Sequence, residues 1–325
     1  MSSVRKVASG FLSLALVAGA ILAVANRQQI IDEISFRQYQ PSAEIAQIAD
    51  RSGMSAAGKR LFYIAHPQLK SAAEFNEECR RVEKASPILG CYDQSASAIY
   101  IYNVANPELD GVKEVTASHE MLHAAYARLS AEEKSRLEPL LEQAYQKVKT
   151  DKFTERMNYY ERAQPGSRTN ELHSILGTEF ADLGSELEQY YTRYFSDRSA
   201  VVKLHAQYSN KFDSVENEAS SLRTNLAARK LDIESRANQY AADVEQYNQR
   251  VKAFNQKAAD GGFASQEDFN AQRSVLRNRL TEINQRRTAL NNDISQYNKD
   301  VARLRELGVK IDELNKSLDS VEGGR

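Results

Sequence analysis

Net charge is nearly absent from this sequence: 43 lysines and arginines meet 44 aspartates and glutamates over 325 residues, a formal charge of -1. Nucleic-acid binding calls for a strongly basic face, so that class of partner is set aside. Cysteine is scarce too, and neither Cys79 nor Cys91 has a further Cys or His at the close spacing of a zinc site. Their nearness suits a disulfide closing a short loop in an oxidising compartment; two separate buried thiols are the other arrangement the sequence allows. With only five histidines, a chance H-E-x-x-H is expected at roughly the one-in-a-hundred level. Uncharged runs long enough to span a bilayer are missing everywhere but one place.

That place is Val7 to Asn26, rich in Leu, Val, Ala and Gly and preceded by Arg5 and Lys6. At about 20 residues it is long enough to span a bilayer, which predicts an anchor over residues 1–30. The chain is then a single-pass membrane protein with its C-terminal bulk extracytoplasmic. Ala23-Val24-Ala25 has the small-x-small form of a cleavage site, so the competing reading is a signal peptide and a secreted product. The run exceeds the roughly 7 to 15 residues of a signal core, which favours the anchor.

From about residue 201 to 325 the pattern is a heptad seam. Apolar residues recur at Tyr208, Phe212, Val215, Ala219, Leu222, Leu226, Ile233, Ala237, Tyr240, Val244, Tyr247, Val251 and Phe254. Turn residues follow at Asp260-Gly261-Gly262, and the rhythm resumes at Phe269, Leu276, Leu280, Ile283, Leu290, Ile294, Tyr297, Val301, Leu304, Ile311 and Leu318. Folding back at the glycine pair sets Phe254 against Phe269, Tyr240 against Ile283 and Leu226 against Tyr297 in one register. The expectation is a long antiparallel coiled-coil hairpin that spaces, covers or docks a protein partner; a longer intermolecular coil is the rival. Arg229 or Lys230, Arg273, Arg287 and Gly308 lie on or beside the seam.

Any chemistry must lie in residues 31–200. Ser42 to Phe75 reads as short helical pieces broken at Ser52-Gly53, Gly58 and His66-Pro67. Ser97 to Val104 alternates like a strand, and as an exposed edge it would hold an extended peptide by main-chain hydrogen bonds. A helix is predicted from Asp110-Gly111 through Leu129, followed by a capping box at Ser130 and Glu133. Within it His119-Glu120-Met121-Leu122-His123 fits H-E-x-x-H. Histidines four apart project from one face, as two imidazoles must to share one zinc, and Glu120 beside them suits a general base acting on the metal's water. The plain alternative is a pair of helix-face histidines satisfied by hydrogen bonds.

A catalytic zinc of this kind takes a third protein ligand. Tyr126 and Leu129 stand where the extended H-E-x-x-H-x-x-G-x-x-H motif has its glycine and third histidine, so the ligand comes from farther on. The best segment follows the loop Gln164-Pro165-Gly166-Ser167: a helix with Asn170 as its expected cap and Glu171 in its first turn. Glu179, eight residues later and on nearly the same face, competes for the role or would orient a ligand histidine. His173 points away from Glu171 and suits a structural hydrogen bond. Tyr159 and Tyr160 are candidate oxyanion donors; His66 and His205 have no supporting neighbours.

Over about residues 95 to 185 the chain resembles the gluzincin metallopeptidases, where the two histidines are joined by a glutamate from a later helix. Their frequent Asn-Glu with a small residue three positions on is similar to Asn170-Glu171 with Ser174. The resemblance implies Glu171 as third ligand; the chain departs from it at Ile175, where a common form has Asp or Glu. The fold expectation is mainly α: an α+β, zincin-like catalytic region with a small sheet, then the hairpin. The functional expectation is a zinc metallopeptidase acting on a peptide or protein substrate. The alternative is a non-enzymatic cell-envelope scaffold with a structural metal site and a partner-binding coiled coil.

Overall fold

The computed structural model describes residue 24, residues 26–79 and residues 88–321. In chain order these form α1 (Arg27–Gln38), α2 (Ala43–Arg51), α3 (Ala56–Ile64), β1 (Gln68–Lys70), α4 (Ala72–Glu78), β2 (Gly90–Asp93) and β3 (Ala98–Tyr102). A 3-10 turn at Pro107–Leu109 leads to α5 (Val112–Ala127), α6 (Ala131–Val148), α7 (Asp151–Ala163), α8 (Arg168–Glu179), α9 (Ser185–Tyr191), α10 (Arg198–Ala259) and α11 (Gln266–Leu318). The chain is mainly helical, with one three-stranded sheet ordered β1-β3-β2.

The N-terminal expectation is corrected. Among the described residues no helix is long and apolar enough to cross a membrane. The run Val7 to Asn26 lies almost wholly outside the described residues, and α1, which follows it, is polar. The single-pass placement is therefore not retained.

The edge-strand expectation is corrected too. The strand read at Ser97 to Val104 is β3, the middle of the sheet, and all five of its residues are buried. β1 pairs with it in parallel (Leu69 opposite Ile101), and β2 pairs antiparallel on the other side (Cys91 opposite Tyr100). The edge beside α5 is thus β2, and β1 occupies a stretch read as helical.

The described residues fall into two compact units. Phe212–Glu313 is one; the residues up to Lys211, with those from Leu314 on, are the other. At the centre of the latter lies α5. Gly111, at φ 96, supplies the left-handed backbone that starts it. Eleven residues of α5 are buried on several faces, as expected of a helix enclosed by others. α8 packs along it, with eight consecutive buried residues from Glu171 to Thr178. Gly177 permits the approach, since a Cβ there would stand 2.6 Å from Leu122 Cδ1 and 2.7 Å from Tyr191 Cε1. The Ser130–Glu133 capping box starts α6 as expected. The last residues return to this unit, where Asn76 exchanges two hydrogen bonds with Ser320 and Asn106 donates to Ser317.

In the second unit α10 and α11 are antiparallel. Pairing climbs one arm as it descends the other: Arg303–Glu218, Arg229–Asp300, Arg236–Asp293, Arg286–Asp243 and Lys257–Asp268. Phe254 and Phe269, one of the expected facing pairs, have ring centroids 5.2 Å apart. Leu280 and Ile294 are exposed rather than in the seam, while Leu307 is buried there. Arg229 is an ion-paired member, whereas Arg273 and Arg287 face solvent.

Candidate metal centre

His119 and His123 stand one turn apart on α5, and Glu171 comes from the first turn of α8. The two Nε2 atoms are 3.0 Å apart. Glu171 Oε2 lies 3.6 Å from His119 Nε2, and Oε1 lies 3.7 Å from His123 Nε2. Three ligands on a tetrahedron with bonds of roughly 2.0–2.1 Å stand about 3.3 Å from one another. The observed triangle is close to that, and the group could hold a metal ion.

The residues fit a cation on a second ground. Among the described residues Glu171 Oε2 is buried without a hydrogen-bond partner, a costly condition for a carboxylate oxygen in a protein interior. A cation between the three groups would relieve it. His123 is oriented for this: its Nδ1 lies 3.0 Å from Asn170 Oδ1 and 3.2 Å from Ser174 Oγ. With the Nδ1 hydrogen donated to Asn170, the Nε2 lone pair faces His119 and Glu171. Asn170 is therefore not the helix cap. α8 begins at Arg168 with Ser167 before it, which makes no side-chain cap bond, and Asn170 lies inside the first turn. Asn170 and Ser174 bracket Glu171 on α8, a spacing that marks both as histidine-orienting.

Glu120, on the turn between the histidines, is buried. Burial raises its pKa, while the two histidines and the main-chain N–H of Tyr92 act to lower it. β2 lies directly against it: a Cβ at Gly90 would stand 2.8 Å from Glu120 Oε1. Burial also pushes His119 down, but its interaction with Glu171 and the charges of Glu120 and Glu179 prevail and raise it. Glu171, pushed up by burial, is brought below its ordinary value by the two histidines and Arg156.

The structure does not bring Glu179 to the imidazoles. Arg156 on α7 takes it in a two-pronged pair at 3.1 and 2.7 Å, and His205 Nε2 lies 3.4 Å away. Nothing in the sequence signalled Arg156. His173 is a core histidine, its Nε2 2.9 Å from the Tyr190 hydroxyl and its ring among Tyr126, Tyr191 and Tyr194; burial pushes its pKa down to about 3. Burial raises the Tyr160 phenol, which stands in the field of Glu171, Arg156 and Glu179; Tyr159 packs against it at 5.5 Å. His66 is structural, stacked on Tyr39 with Nε2 2.9 Å from Ser35 Oγ. Cys79 and Cys91 form a disulfide.

No protein-family model matches the chain, and no curated protein or solved structure is significantly similar to it.

Proposed function

We propose that the chain is a zinc-dependent metallopeptidase of gluzincin type. The observation that carries the reading is the convergence of His119, His123 and Glu171, with a buried glutamate at position 120 between the histidines. Two imidazole nitrogens and one carboxylate oxygen suit zinc, and three converging groups among the described residues, rather than four, would leave a coordination position open, as in catalytic sites. A zinc ion held there by His119, His123 and Glu171 would supply Lewis acidity, activating water near neutral pH and polarising a substrate carbonyl.

The chain's own residues do the rest. His119 and His123 bind through Nε2, and Asn170 holds His123 in the tautomer that leaves its Nε2 free. Glu171 supplies the negative charge that favours a dication. Glu120 is the general base: its carboxylate takes a proton from the attacking water and delivers it to the leaving amine. Its burial keeps bulk water from competing for that proton.

The test is metal analysis and digestion of an unbiased peptide library by the full chain, with and without chelator. Stoichiometric zinc, cleavage abolished by chelator and a loss of at least about a hundredfold on Glu120→Gln support the reading. Cleavage unchanged in that variant overturns Glu120 as base. Bound zinc with no cleavage of any peptide would favour a structural metal in a scaffold.

A further inference from the structure

Glu120 lies against a strand that has little ladder of its own. β2 is four residues long and lies at the sheet edge, hydrogen-bonded among the described residues to β3 alone, and such a strand frays readily. Yet it is pressed on Glu120, whose Oε1 and Cγ would lie 2.8 and 2.9 Å from a Cβ at Gly90. The main-chain N–H of Tyr92, two residues on, is turned to the same carboxylate. Between them sits Cys91, bonded to Cys79 at the end of α4.

The far side of β2 is fastened as well. The Tyr92 hydroxyl accepts from Arg128 Nη1 at 3.2 Å. Arg128 in turn grips Asp32 of α1 through Nε and Nη2, both at 2.9 Å, and caps α5 by donating to the Ala124 carbonyl at 2.9 Å. It thereby ties β2 to the same helix that carries Glu120, two turns on.

We infer that β2 is the positioning element for Glu120, held over it by two fasteners, the Cys79–Cys91 disulfide and the Asp32–Arg128–Tyr92 link. The inference rests on the proposed role of Glu120 as general base. Cys91 and Tyr92 are positioning residues: they act through the strand and not on substrate. Loosening either fastener lets the strand lift, so Glu120 loses its fixed orientation while His119, His123 and Glu171, which belong to helices, stay in place.

The test uses the full zinc-loaded chain with Tyr92→Phe and the double variant Cys79→Ser with Cys91→Ser. Both are expected to retain wild-type zinc stoichiometry and KM, to lose about tenfold in kcat, and to exchange their β2 amide hydrogens about tenfold faster. The β3 amides of Ile99 and Ile101 keep their wild-type rate; a variant in which they also accelerate has lost the sheet, and the other variant then decides. Faster β2 exchange with wild-type kcat, or unaltered β2 exchange in both variants, overturns the inference. If the wild type cleaves no peptide, the peptidase reading alone fails, and Glu120→Ala decides the geometry. An acceleration of about tenfold at the Tyr92 amide upholds the seat of Glu120 on β2, and an unchanged rate overturns it.

Discussion

Asn170 is the residue whose removal reads most directly on the metal centre. Its Oδ1 and the Ser174 hydroxyl are the groups within hydrogen-bond distance of His123 Nδ1, so Asn170→Ala leaves the imidazole freer to turn and to exchange tautomers. Loss of such an orienting partner costs typically 10–100-fold in metal affinity, and competition against a chromophoric chelator should show a drop in that range. Glu179 gives a prediction of a different kind. Burial pushes its carboxyl up, but the Arg156 charge and His205 prevail and hold it below its ordinary 4.5. A carboxyl with a depressed folded pKa lends stability that is complete above its unfolded value and lost as pH falls through the folded one. Acid unfolding below about pH 4.5 should therefore be shallower for Glu179→Gln than for wild type, with less stability at neutral pH, as urea titrations across that range would record. At this scale the sequence went only part of the way. The spacing of His119 and His123 is enough to put two rings on one face, because a helix turn dictates it. Glu171 and Glu179 share nearly one face of α8, and what separates them is Arg156, delivered from α7 by tertiary packing that no local pattern records.

Among the elements, the hairpin was the most legible, because every seventh position along α10 and α11 repeats the same demand for apolar side chains. The row beside that apolar row is charged in the middle of the hairpin: Arg229, Arg236 and Asp243 meet Asp300, Asp293 and Arg286. This row specifies register. A slip of one heptad sets Arg236 against Arg286 in one direction and Asp243 against Asp293 in the other. Arg236→Asp should lower the midpoint of the hairpin's thermal transition by circular dichroism, and adding Asp293→Arg should restore most of it; a double variant no better than the single would refute register control by charge. Tight helix packing gives a second test. Gly177→Ala drives a methyl toward Leu122 and Tyr191, overpacking that costs about 1–3 kcal/mol, measurable by denaturant titration. The short strands were the least legible. β1 and β2 have three and four residues, too few for alternation to register, and β2 is half-buried at every position. β3 is legible from the alternation and the β-branched and aromatic content of Ser97 to Val104, but its place in the middle of the sheet is set by pairing partners the sequence does not display.

For the whole molecule, the division into two units makes a prediction about where metal acts. No histidine or cysteine lies between Phe212 and Glu313, whereas the three converging groups that could hold a metal ion all belong to the other unit. A ligand that binds only the folded form stabilises it by RT ln(1 + [L]/Kd), about 4.1 kcal/mol at a thousandfold excess over Kd. Zinc removal should thus act on one unit. Calorimetry of the full chain is expected to show two transitions, of which chelator lowers only that of the metal-bearing unit and excess zinc raises only that one. Asn170→Ala should shrink the same shift, by about 1.4–2.7 kcal/mol for a 10–100-fold loss in affinity, while Arg236→Asp should leave the zinc-dependent shift at its wild-type size and move the other transition. A single transition that follows zinc as a whole would mean that the hairpin and the metal centre unfold together, and the two units would then be one cooperative body.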